Sequence, residues 1–452
     1  LRGVYTRRLQ QIARPLLYRI MSSRSRKLLF RISALFFFIV GGFLVAYSFG
    51  IKLDLTNLTF SETGGIYIKS TPAEVEICLD GKKIKNTSSF FQAGTLVDNL
   101  REREYRLVLR DDGYFDWQKN VKVSPSLVNV FDSIVMVPQK EPVKIAEPAD
   151  KIELLGDILI TERNKSIYAD GVKIPGSKIV DTTPNDSVIT YDNGNKNYYL
   201  ISLSNPNSYL NINDIFNNLK EDKLGLFGTV SILKVTFHPF NKDRLIVRSR
   251  GALYNIDTSR STIEKVADGT TEFKTQGNNL FFYISDGLYR YNLIFRTTTK
   301  LAPLSDLKTI KDFAGTSSGG VVTLYQSGEL DLIFGDNPVK IADKAKLFAV
   351  SDSGKLIAFG DNDQSLHVYD TDKLKYANIK NGVAGNLSKI VWYKDNNHLL
   401  LQSDDSLYFS EISEIDPVNS FKIASNIKDF SYDEDKNTVY INSTGGVLKY
   451  EI

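Results

Sequence analysis

Few of the 452 residues are of the types that do chemistry. Cys78 is the only cysteine, so an intrachain disulfide framework and a cysteine-based zinc site are both excluded. His238, His367 and His398 are the only histidines, and they fall at unlike positions far apart in the chain. His238 precedes Pro239, where shaping a turn is the plainer role. One string, Gly315-Thr316-Ser317-Ser318-Gly319, matches the glycine-flanked serine of a hydrolase elbow. That chemistry needs the serine between a strand and a helix, with a histidine and a carboxylate near it. Here Ile310–Phe313 and Val321–Tyr325 both read as strands, which predicts a Gly/Ser hairpin turn instead. Two acidic runs, Asp361-Asn362-Asp363-Gln364-Ser365 and Asp433-Glu434-Asp435-Lys436-Asn437, offer oxygen ligands for calcium. Neither has the EF-hand spacing with its final glutamate, and Asp, Asn and Ser are also the residues that hairpin turns favour. No catalytic, cofactor-binding or metal-binding residue is therefore assigned, and the expectation is a protein that is not an enzyme.

Charge decides against one class of partner. The net charge of +3 is the sum of +10 over residues 1–52 and −7 over residues 53–452, where 46 basic face 53 acidic residues. An acidic bulk disfavours nucleic acid, and phosphate loops and dinucleotide glycine motifs are absent.

The basic excess at the N-terminus leads to the elements. No Asp or Glu precedes Asp54, and a basic tail over 1–31 ends with Arg24, Arg26, Lys27 and Arg31. Ile32–Ile51 follows, 20 residues without a charge, among them Phe36, Phe37, Phe38, Ile39, Val40, Phe43, Leu44 and Val45. A helix of that length matches the roughly 30 Å bilayer core. The run is longer than the apolar region of a cleaved signal peptide, so an uncleaved signal anchor is predicted over 32–51. The four basic residues set its topology: a short cytoplasmic tail, with the bulk of the chain extracytoplasmic. Gly42, Ala46 and Gly50 share a helix face, a small-residue stripe that could pack two anchors as a homodimer, although glycine and alanine are common in membrane helices and that plainer reading is preferred.

A stalk over 52–63 leads into period-two patterning. Ile66 and Ile68, then Val75, Ile77 and Leu79, then Tyr105, Leu107 and Leu109, then Val121 and Val123 alternate with polar residues. Asp80-Gly81 and Asp112-Gly113 punctuate them, which reads as antiparallel strands joined by tight turns. The string Ser70-Thr71-Pro72-Ala73-Glu74-Val75, then Leu79-Asp80-Gly81, then Asp112-Gly113-Tyr114 with Trp117 and Val121-Lys122-Val123, resembles the PEGA domain, a small β module of cell envelopes. The resemblance covers 64–137 and implies a β-sandwich over 64–138, with Pro72, Asp80, Gly81, Gly113, Tyr114 and Trp117 as its motif residues. The glycine after Pro72 and the Thr-Pro after the middle turn are missing. The family implies envelope association and no chemistry.

Residues 143–452 repeat. Lys, an apolar residue and Ala recur at Lys265-Val266-Ala267, Lys300-Leu301-Ala302, Lys340-Ile341-Ala342 and Lys422-Ile423-Ala424, with a looser copy at Lys375-Tyr376-Ala377. Before them run strands such as Ala252-Leu253-Tyr254, Gly287-Leu288-Tyr289 and Ser406-Leu407-Tyr408. A repeat of this length with several short strands is the period of a propeller blade. The last unit, 427–452, is one strand short, and Lys144-Ile145-Ala146 is the copy that completes it, closing the ring. Seven or eight blades are predicted, with an insertion over 213–228. Phe237-His238-Pro239 with Leu245-Ile246-Val247, and Ser351–Phe359, are similar to the WD-like propellers of the TolB type.

The predicted fold class is thus all-β with one N-terminal transmembrane helix, a small PEGA-like sandwich and a β-propeller closed by an N-terminal strand. The expected function is a membrane-anchored binding or scaffold protein of a bacterial-like cell envelope, located at the cell membrane. Its partner would be an extracytoplasmic protein or glycan. A propeller enzyme, hydrolase or lyase, working on envelope polymer is the alternative, and a purely architectural component the third reading.

Overall fold

The computed structural model describes residues 23–48, 51–54, 59–88, 94–156, 158–183, 187–303, 309–316, 319–334, 337–377, 379, 382–383 and 385–452. It divides into two compact units, residues 1–107 with 120–134, and residues 108–119 with 135–452.

In the first unit, helix α1 (Ser23–Ser48) carries the apolar run. Ile32, Phe36, Phe37, Phe38, Ile39, Leu44 and Val45 are all exposed, up to 74% at Phe38. Among the described residues no helix is long and apolar enough to cross a membrane. This corrects the expected 32–51 span in one physical respect. The helix holds the run only from Ile32 to Ser48, about 25 Å at 1.5 Å per residue, and Ile51 instead begins a strand paired to Glu62. Strands follow whose alternate residues, Ile66, Ile68, Val75, Ile77, Leu79, Val97, Tyr105 and Leu107, are buried. Between Glu76–Leu79 and Lys82–Ile84 the turn residues Asp80 and Gly81 have φ of 50° and 77°. The Asp80 carboxylate accepts the Arg106 amide at 2.9 Å and meets the Arg103 guanidinium at 2.6 Å. The Arg106 hydrogen bond holds its pKa below the usual carboxylate range, with Arg103 assisting against burial.

The second unit is a succession of eight four-stranded antiparallel sheets, a propeller-type fold. Blades 1 to 7 span Lys151–Ile174, Lys178–Asn211, Ile232–Asp268, Glu272–Pro303, Ile310–Ala342, Ala345–Tyr376 and Leu387–Ala424. Blade 8 joins three strands of Ile427–Glu451 to Val143–Ala146, which pairs antiparallel with Gly446–Glu451. Blades 1 and 8 share a core of Ala149, Ile152, Tyr440 and Val447. Between blades 2 and 3 the expected insertion is helix α2 (Ile212–Leu224), capped by the Asn211 side chain and ended by Gly225 at φ 63°. It buries Phe216 and Leu219 in the core these blades share.

The structure explains the Lys-apolar-Ala signature. In five blades the alanine pairs with one residue of the third strand and the lysine with the next, so the apolar residue between them forms a β-bulge. The bulge brings the alanine carbonyl close to the start of the third strand. A Cβ on Gly287 would lie 2.4 Å from the Ala302 carbonyl, and one on Gly446 2.6 Å from that of Ala146. That is why small residues precede the apolar one there. Bulge and lysine also suit an outermost strand, whose free edge must not pair with another chain.

First strands contact one another between blades 8 and 1, 1 and 2, 2 and 3, 4 and 5, and 6 and 7, and polar bonds stitch neighbouring blades. Lys234 pairs with Glu272, Lys274 with Asp312, and Lys389 with Asp429 at 2.7 Å. Asp181 of blade 2 accepts the Thr236 hydroxyl and the Phe237 amide, the latter at 2.8 Å, from blade 3.

Candidate functional site

In each blade the turns from first to second strand and from third to fourth lie on one face of the ring, and the other connections on the opposite face. The first strands of blades 1, 2 and 8 end on the former face at Leu155, Thr183 and Asp433. There they surround a cavity of about 460 Å³, lined by Leu154, Leu155, Gly156, Thr182, Thr183 and the segment Ser431–Lys436. The floor is apolar and hydroxylated; the rim carries Glu434 and Asp435, both exposed.

Several bonds fix this wall. Asp433 accepts the Lys436 amide at 3.1 Å and faces its ammonium at 3.6 Å, and Lys436 Nζ also donates to the Gly156 carbonyl at 2.5 Å. The Tyr432 hydroxyl donates to Asn437 at 3.1 Å. Burial raises the Tyr432 phenol far above its ordinary value and pushes Tyr393, whose ring centre lies 5.5 Å away, up to about 12. Both phenols are therefore neutral donors at any physiological pH. Behind them the buried His398 meets Asp395 through Nδ1 at 2.7 Å and stacks on Phe409. The cavity can thus accept a cationic or hydroxylated group: carboxylates at the rim, hydroxyls inside, an apolar bed beneath.

Of the residues singled out in the sequence, the acidic run Asp433–Asn437 lies at this cavity, and the run beginning at Asp361 does not. Asp361 folds back on its own turn, accepting the amides of Asp363 and Ser365 at 2.9 Å and meeting His367 Nε2 at 2.8 Å. His238 accepts the Phe240 amide at its own turn, so the three histidines stand in blades 3, 6 and 7. Thr316 and Gly320 bond each other across a turn between two strands of blade 5, and Ser317 and Ser318 lie outside the described residues. Gly113 and Tyr114 occupy a turn in the propeller unit, where Gly113 accepts the Gln139 amide and Tyr114 bridges to Pro138. Pro72 follows the strand Thr59–Thr71. Arg26, Lys27 and Arg31 are exposed on α1, Val40 is half-buried, and Gly42 has open space around it. The side chains of Arg24, Phe43 and Ala46 and all of Gly50 lie outside the described residues. Lys144, Ile145 and Ala146 form the closing strand, with Ile145 as its bulge.

One cluster was not anticipated. Lys119, 2% exposed at its side chain, pairs with Glu411 and donates to Ser413 Oγ and the carbonyls of Ile415 and Pro417 at 2.8–2.9 Å. Glu411 also accepts Trp117 Nε1 at 2.9 Å and both donors of Asn419. All these residues belong to the propeller unit. Trp117 thus packs beside blade 7. The only sequence signal was a lysine at a position where alternation demands burial.

No protein-family model matches the chain, and no curated protein matches it. Among solved structures it is similar to the C-terminal WD40 domain of Sif2 at 12% identity and a TM-score of 0.49, covering 69% of this chain and 98% of that one. The propeller domain of Cps50 (Swd1) from Myceliophteria thermophila gives 11% and 0.40, with 69% and 99% covered. Dihydro-heme d1 dehydrogenase NirN gives 11% and 0.45, with 62% and 67% covered. The class that the strand topology defines is an all-β protein with a propeller-type unit.

Proposed function

We propose that this chain is a membrane-anchored binding protein of the cell envelope, and that its propeller docks a cationic segment of a protein or polymer at the cavity of blades 1, 2 and 8. The cavity carries the reading, because its exposed carboxylates stand over a hydroxylated, apolar bed on a rigid ring. A binding role fits the wall better than a hydrolytic one: Asp433 is committed to its own turn and to Lys436, and Glu434 and Asp435 stand exposed at the rim rather than facing each other across a closed cleft. The exposed phenylalanines of α1 and its charge-free stretch from Ile32 to Ser48 support an anchor in the bilayer, and the basic residues before it support a cytoplasmic N-terminus. The motif residues Pro72, Asp80 and Gly81 support a PEGA-like module beside it.

The test uses the full chain in nanodiscs and a fluorescent oligolysine peptide, with oligoglutamate as control. Saturable binding of oligolysine, weakened several-fold in E434Q/D435N, is the expected result. Equal binding by the wild type and this variant would remove the cavity from the reading.

A further inference from the structure

The cavity face is not uniform. Its turns in blades 3 to 6 expose large apolar tips: Phe240 at 60%, Ile294 at 58%, Phe295 at 76%, Phe334 at 49% and Leu374 at 57%. Strand topology puts all five on the same face. Phe240 stands in the first turn of blade 3. The others stand at or beside the turn from third to fourth strand of blades 4, 5 and 6. A single exposed apolar residue is ordinary, but an arc of them over four consecutive blades is a surface.

Charge on this face is divided the same way. Among the described residues, the exposed charges in and beside these turns are Lys242, Arg260, Arg296, Lys355, Lys373 and Lys375, against Asp352 and Asp372. The corresponding turns of blades 7, 8 and 1 expose Glu414, Asp416, Glu434, Asp435 and Asp170, against Lys173, Lys394 and Lys436. Basic residues sit beside two of these tips: Arg296 follows Phe295, and Lys373 and Lys375 flank Leu374. An apolar side chain with a long cation next to it is the arrangement that seats in a bilayer interface, the ring among acyl chains and the cation at the headgroups.

We infer that the turns of blades 3 to 6 form a lipid-contacting arc, which lays this side of the propeller on an anionic bilayer surface while the acidic side stays in water. The inference does not depend on α1 being an anchor or on the cavity's ligand. Anionic lipid is the occupant that the charge favours, since each basic residue near such a surface contributes about fivefold in affinity.

The experiment uses the full chain with Phe295→Trp and vesicles of phosphatidylcholine and phosphatidylglycerol whose acyl chains are brominated. The native Trp117 and Trp392 are 2% and 6% exposed, so the wild-type chain supplies the background. Thr444→Trp, in an exposed turn of blade 8 on the opposite face, is the control. Expected is quenching of F295W but not T444W, reduced in pure phosphatidylcholine and in F295W/R296E/K373E/K375E. Flotation of the chain with vesicles while F295W stays unquenched overturns the inference and leaves the anchor standing. Equal quenching at both positions, or quenching indifferent to lipid charge and to the reversed residues, overturns it too. A lipid-independent shift of F295W emission that grows with protein concentration would assign the arc to a second copy of the chain, and would overturn it as well.

Discussion

Lys119→Met tests whether one buried ion pair holds residues 108–119 in the propeller unit. Lys119 is 2% and Glu411 9% exposed at the side chain, so neither charge is relieved by water. Losing the ammonium leaves the Glu411 carboxylate buried with Trp117 and Asn419 as donors, and takes the Lys119 donor from the Pro417 carbonyl, while Ile415 keeps the Ser413 hydroxyl at 3.0 Å. Breaking a buried pair on one side costs about 3–5 kcal/mol. A unit of about 330 residues unfolds with roughly 0.7 kcal/mol/K of entropy, so the midpoint falls by about 4–7 °C. Both tryptophans of the chain, Trp117 and Trp392, lie in this unit, and their fluorescence reports its melting alone. Glu411→Gln removes the second charge while keeping a carbonyl oxygen for Trp117. The double variant K119M/E411Q should therefore melt above K119M, because the orphaned charge is gone. The exposed pair Lys355–Asp372 of the same unit supplies the comparison, and Lys355→Met should leave the midpoint unmoved. A K119M midpoint equal to that of K355M, or a double variant that loses the sum of both single losses, would refute the reasoning.

Further outcomes follow from the same geometry. Burial alone would raise the Asp257 carboxyl, but the Ser259 hydroxyl, the Arg260 amide and the Arg244 guanidinium outweigh it and hold it below the usual 3.8. Its folded pKa is depressed, so its contribution is complete above about pH 4 and is lost as pH falls through the folded value. Asp257→Asn should lower the melting midpoint at pH 7 and flatten its decline below pH 4. Gly446→Ala places a Cβ 2.6 Å from the Ala146 carbonyl at a φ of 145°, which should cost about 1–3 kcal/mol. Hydrogen exchange should then report early loss of protection at Val143–Ala146. Asp181→Ala removes the acceptor that joins blade 2 to Thr236 and Phe237 of blade 3. It leaves the Phe237 amide without its partner, for about 1–3 kcal/mol.

What could be read in the sequence was what repeats locally. Lysine, an apolar residue and alanine recur because each outer strand bulges at the same place, and the small residue of the third strand recurs because that bulge crowds it. The same logic made the strand at Lys144 legible as the missing edge of blade 8, although about three hundred residues separate it from Gly446. Contacts that no period predicts stayed hidden. Lys119 stands at an inward position of its strand, in phase with Trp117 and Val121, and nothing near it in the sequence shows that the loop of blade 7 wraps it with Glu411 and two carbonyls. The cavity is made by the ends of three strands from three blades, and its threonines and leucines carry no motif at all. Asp433–Asn437 was visible as an acidic run, but turn chemistry explains such a run equally well. Only the neighbours brought from blades 1 and 2 distinguish it from the Asp361 turn, another acidic run, which folds back on itself. The charge count behaves likewise. Its division between residues 1–52 and the rest is linear and could be read at once. The division between two halves of one propeller face could not be, because turns of the two faces alternate along the chain, and only setting aside those of the opposite face leaves blades 3 to 6 basic and blades 7, 8 and 1 acidic.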